Sequence, residues 1–97
     1  MKVRIMFLGE LRNLTGKKEV EIEANENETV RDLLKEVGEV FGEKISKRIF
    51  DENGELSDNV RVLVNGRNIL IGKGLETKLC DGDSVILMPP LAGGSFA

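Results

Sequence analysis

The chain is expected to be α+β, a mixed sheet of about five strands with one main helix packed on one face. Residues 2–8 and 19–24 alternate apolar and charged side chains, the period of a half-buried strand. Residues 30–41 place apolar side chains at helical spacing. Asn65-Gly66 between two strand-like runs is a strong short-range hairpin signal, and the unbroken apolar run at 84–88 suits a central strand.

Taken in order, Lys2 to Leu8 turns Val3, Ile5 and Phe7 to one face and Lys2 and Arg4 to the other. Glu19 to Ala24 directs Val20, Ile22 and Ala24 inward and three glutamates outward, as an edge strand would. The two strands read as a hairpin with an extended connection, in which Leu11 and Leu14 tuck back before Thr15-Gly16-Lys17 turns the chain. Thr29 and Asp32 form a capping-box variant that starts a helix, with Val30, Leu33, Leu34, Val37 and Phe41 as its apolar stripe. Gly38 costs that helix roughly 1 kcal/mol against alanine, and Gly42 stops it. Glu43 to Phe50 adds a short helical turn through Ile45, Ile49 and Phe50. Val60 to Val64 and Arg67 to Ile71 are the third and fourth strands. Leu75 to Leu79 suits one tight turn of helix, and Ser84 to Met88 is the last strand, expected to pair with the first at the centre of the sheet. The domain is expected to span 1–90 and a flexible tail 91–97.

Composition removes many chemistries. The chain of 97 residues suits one core, and 40% hydrophobic with 32% charged residues is ordinary for a folded protein. There is no histidine and one cysteine, so histidine-based nucleophilic devices, His/Cys zinc sites, an internal disulfide and a CxxC redox pair are all excluded. Cys80, between Leu79 and Asp81-Gly82, is expected to be a buried small apolar group. A net charge of −3 argues against nucleic acid as a partner. No apolar run approaches the ~20 residues that span a bilayer, so no membrane partner and a cytoplasmic location are expected.

The most informative segment is the end. Pro89-Pro90 holds the backbone extended and cannot continue a ladder, while Gly93-Gly94 carries no side chains and passes where a Cβ would not. Four extended residues beyond Pro90 reach at most ~14 Å, enough for a partner's active site. Gly94 is the candidate attachment point and Gly93 supplies clearance. Met88 and Leu91, flanking the prolines, and Met6 and Leu8 on the first strand are the candidate partner contacts, with core packing the alternative for each.

The segments Phe7-Leu8-Gly9-Glu10-Leu11-Arg12-Asn13-Leu14-Thr15-Gly16, Val64-Asn65-Gly66-Arg67, Leu79-Cys80-Asp81-Gly82-Asp83 and Pro89-Pro90-Leu91-Ala92-Gly93-Gly94 together resemble the MoaD/ThiS family of ubiquitin-like sulfur carriers. The likeness is strongest to the archaeal small subunit of molybdopterin synthase. It implies a β-grasp (ubiquitin-like) fold and a carrier in place of an enzyme. Its terminal glycine, Gly94 here, is adenylated by an E1-like partner that uses ATP, then converted to a thiocarboxylate. No cofactor is bound by the carrier itself. The large subunit of molybdopterin synthase is the implied receiver. Because Ser95-Phe96-Ala97 follow Gly94, the resemblance also implies trimming, for which a JAMM-type protease is the expected enzyme. A protein modifier joined to lysines through Gly94 and a noncovalent binding module that has lost the tail chemistry are the alternatives.

Overall fold

Val3, Ile5 and Phe7 are fully buried while Lys2 and Arg4 stay exposed, so the alternation in the sequence becomes the two faces of β1 (Lys2–Phe7). The computed structural model describes residues 1–90. After β1 come α1 (Glu10–Thr15), β2 (Glu19–Glu23), α2 (Val30–Phe41), α3 (Glu43–Ile49), β3 (Arg61–Val64), β4 (Arg67–Asn68) and β5 (Ser84–Met88), with 3-10 turns at Ile69–Ile71 and Gly74–Glu76. The strands form one mixed sheet in the order β2-β1-β5-β3-β4. β5 is central, parallel to β1 and antiparallel to β3, and glutamate-rich β2 lies at one edge as expected.

The long helix is built as its sequence indicates. The Thr29 hydroxyl accepts from the Asp32 amide at 3.3 Å, and the Asp32 carboxylate accepts from the Thr29 amide at 3.0 Å. The bond from the Thr29 amide, and a second from the Thr29 hydroxyl to the same carboxylate oxygen at 3.0 Å, favour the charged carboxylate and hold the Asp32 pKa below its ordinary value. Val30, Leu33, Leu34 and Val37 are wholly buried against the sheet, and Phe41 meets Phe7 edge to face with ring centroids 5.5 Å apart. Gly38 has a packing reason beyond its helical cost. A Cβ there would sit 3.0 Å from the Ser46 Cβ, so the missing side chain sets how closely α2 and α3 cross.

Several expectations change. The connection between β1 and β2 is not extended but holds α1, opened at Gly9 and closed by Gly16, whose N–H donates to the Arg12 carbonyl at 2.8 Å. Leu11 on α1 is buried, but Leu14 is exposed rather than tucked back. Residues 43–49 form a helix of seven residues, longer than a single turn, with Ile45 and Ile49 in the core. The fourth strand ends at Asn68, because the Asn68 side chain accepts from the Leu70 amide at 2.9 Å and bends the chain into a 3-10 turn. Cys80 is exposed, not buried. Its amide donates to Asp83 at 2.8 Å at the start of the Asp81-Gly82 turn, leaving Leu79 as the buried neighbour. Among the described residues, no helix is long and apolar enough to cross a membrane.

Candidate functional site: the open sheet face and the exit of the tail

The helices cover one face of the sheet, and the register defines what lies on the other. Directly opposed residues share a face. Met6 opposes Ile86, and Ile86 opposes Leu63, so the three half-buried side chains form a row across β1, β5 and β3. Half-buried Leu8 donates its amide to the Leu87 carbonyl at 3.0 Å, which continues the β1–β5 pairing to the level of Met88. The face therefore changes character along its length. At the start of β1 it is charged, with Lys2 to Glu21 at 3.8 Å and Arg4 to Glu19 at 3.5 Å. Toward the end of β5 it becomes apolar through Met6, Leu8, Ile86 and Met88, with Arg61 opposite Met88 at its margin.

That apolar end is where the chain leaves the sheet. Met88 is followed by half-buried Pro89 and exposed Pro90. Of the candidate residues named from sequence, Met6, Leu8 and Met88 lie together on this face, while Leu91, Gly93 and Gly94 lie outside the described residues. Leu63 and Ile86 escaped the sequence reading. The signal for Ile86 was the two-residue period that aligns it with Met88, whereas Leu63 meets it only through the pairing of β3 with β5.

Two further features fix where the tail starts. Gly9 has φ +59°, and a Cβ on it would lie 2.7 Å from Pro89 Cγ. The proline ring thus rests where only glycine allows it, and α1 turns away from β5 at that point. Glu10, the next residue, is ion-paired with Arg48 of α3, which ties α1 to the helical layer. At the opposite end of β5, the two plain turns of the sequence prove to be one cluster. Asn65 donates from its amide nitrogen to Asp83 at 2.9 Å and accepts from the Ser84 amide at 2.9 Å. Asp81 accepts from the Lys2 amide at 2.7 Å. Both ends of the central strand are therefore held, and the tail departs from a fixed base.

Among the described residues no group of His, Cys, Asp and Glu is placed to hold a metal ion. The central strand leads into two prolines beside the apolar face, and the sequence as a whole matches a known family pattern. That of the ThiS family fits this chain over residues 5–94. The chain belongs to the ThiS family.

Three of the proteins to which the chain is similar are a modifier, a sulfur carrier and a molybdopterin converting factor subunit by name. Small archaeal modifier protein 3 of Haloferax volcanii is 34% identical over 94 residues, covering 97% of this chain and 100% of that one. Sulfur carrier protein CysO of Mycobacterium tuberculosis is 40% identical over 52 residues, 52% of this chain and 56% of its own. A Pyrococcus furiosus structure provisionally named molybdopterin converting factor, subunit 1, matches with TM-score 0.77 at 34% identity, covering 93% of this chain and 98% of that one. The ThiS-family chain thus has the ubiquitin-like β-grasp fold, a mixed sheet of five strands and one main helix.

Proposed function

We propose that this protein is a sulfur carrier of the molybdopterin or tungstopterin synthase small-subunit type, a co-substrate and not an enzyme. The observation that carries the reading is that the family match ends at Gly94, with Ser95, Phe96 and Ala97 beyond it. In this sequence the Gly94 carbonyl is an amide, so a protease, of JAMM type, first hydrolyses the bond to Ser95. The freed carboxylate oxygen attacks the α-phosphorus of ATP on an E1-like enzyme, and pyrophosphate leaves. Hydrosulfide then attacks the acyl carbon and AMP departs, leaving a thiocarboxylate. A carboxylate is a poor electrophile until its oxygen becomes a good leaving group, and the partner supplies that activation. The fixed exit at Pro89 and the slender Gly93-Gly94 let the tail enter the large synthase subunit, while Met6, Leu8 and Met88, with Leu91, meet the partner's surface.

The direct test incubates a chain ending at Gly94 with an E1-like enzyme, ATP and sulfide. An oxygen-for-sulfur mass increase on the C-terminal peptide is expected. An unchanged mass, while a known carrier is converted by the same enzyme, refutes the reading.

A second reading has its own support in the likeness to small archaeal modifier protein 3 over nearly the whole chain. In it a lysine amine, in place of hydrosulfide, attacks the same adenylate and forms an isopeptide bond. Peptides of other proteins bearing a Gly94 remnant on lysine would establish it, and their absence from cells rich in the mature chain would count against it.

A further inference from the structure

A second surface lies at the other end of the sheet. The β3–β4 turn places Arg67 opposite Val64, and Val64 opposes Val85 at the start of β5, whereas the tail leaves from the far end beyond Met88. Beside this turn is a groove of about 260 Å³, with Val64, Ile69 and Thr77 among its walls and Arg67, Lys73 and Lys78 around them. No carboxylate lines it. The chain as a whole is acidic, at −3, and the ion pairs among the described residues engage Lys2, Arg4, Arg31, Lys47 and Arg48. Arg67, Lys73 and Lys78 have no such partner among the described residues, so their charge is unneutralised around one concavity.

Next to the groove, the 3-10 turn exposes Leu70 and Ile71, each 69% accessible. Two adjacent large aliphatic side chains in water beside three cations form a mixed patch. β4 is also the outer strand of the sheet, only two residues long.

We infer that this groove is a docking site for an acidic segment of a partner protein that carries an aliphatic side chain among its carboxylates. Charge complementarity selects the acid, since Arg67, Lys73 and Lys78 have no acidic partner among the described residues. Leu70 and Ile71 select a protein segment over a free anion or a nucleic acid backbone, neither of which offers apolar surface to cover them. The site faces away from the tail exit, so a partner held here leaves the Gly94 end free to react. The inference does not depend on what chemistry Gly94 performs.

The test is an amide-resolved NMR titration of the full chain with a synthetic peptide that alternates Asp or Glu with Ile or Leu. Controls are the same peptide with Lys at each acidic position, inorganic phosphate and a short RNA duplex. The acidic peptide is expected to move the resonances of Val64, Ile69, Lys73 and Lys78, and less so as salt rises. Arg67→Glu combined with Lys78→Glu is expected to weaken binding by about tenfold or more, and Leu70→Ser by several-fold, in spectra that otherwise stay those of the folded chain. No shift at these residues with the acidic peptide at millimolar concentration overturns the inference. So do equal binding of the lysine peptide, perturbation confined to the Met6 and Met88 face, or response to phosphate or RNA alone.

Discussion

Replacing Gly9 by alanine should unseat Pro89. The added Cβ would stand 2.7 Å from Pro89 Cγ and 3.1 Å from its Cδ, well inside contact distance, on a backbone at φ +59° and ψ −137°. A non-glycine residue in such a region costs of order 1–3 kcal/mol, and crowding a packed contact adds typically 1–3 kcal/mol. The sum, about 2–6 kcal/mol, corresponds at roughly 4–8 °C per kcal/mol to a melting temperature lower by some 10 °C or more in a domain of this size. Gly16 is a control for positive φ without a contact, because it sits at φ +71° and ψ 12° in the left-handed helical region with nothing within 4 Å of its would-be Cβ, and the cycle with Pro89 separates the contact from the remaining backbone difference. Gly16→Ala should therefore show the backbone cost alone, about 1–2 kcal/mol. Urea unfolding followed by circular dichroism measures both, and a cycle with Pro89→Ala isolates the contact. Equal losses for Gly9→Ala and Gly16→Ala, or a cycle with no coupling between positions 9 and 89, would refute the claim that the proline seat requires glycine.

Thr29→Ala should cost about 0.5–2 kcal/mol by removing the cap of α2, read as a lower urea midpoint at unchanged slope. Asp32 has a folded pKa below its unfolded 3.8, so its contribution to stability is present above that value and disappears as pH falls through the folded pKa. Asp32→Asn should accordingly flatten the acid limb of a stability–pH profile and change little at low pH. Gly38→Val, which pushes a branched side chain into the Ser46 contact 3.0 Å from where its Cβ would lie, should destabilise by about 1–3 kcal/mol and loosen α3 in hydrogen exchange. Met88→Ser should leave the fold intact, because Met88 is only half-buried, yet slow transfer from the charged tail to a partner subunit about tenfold or more in single-turnover assays.

What was legible in the sequence had local causes. The period of two in Val3, Ile5 and Phe7 and the stripe from Val30 to Phe41 specify their own elements, and the Thr29–Asp32 box depends on four adjacent residues. The central place of β5 followed from an apolar run that needed cover on more than one side. Other features are tertiary and left no local trace. α1 is only six residues long and buries a single side chain, Leu11, so it presents no stripe to read. β4 is cut short at Asn68 by an asparagine side chain that competes for the backbone, and Cys80 faces outward because Asp83 captures its amide. Gly9 could be assigned a purpose only once the parallel pairing of β1 with β5 brought it against Pro89. The apolar face was half legible. Met88 was named for its place beside the prolines and Met6 and Leu8 for theirs on the first strand, whereas Leu63 and Ile86 required the register.

The central claim, that Gly94 is the matured end that carries sulfur, is tested most directly by the intact mass of the protein isolated from its native cells. The account predicts a chain ending at Gly94, a fraction of it with sulfur in place of one carboxylate oxygen. A chain still carrying Ser95-Phe96-Ala97 in cells that are making the sulfur-dependent product would contradict it.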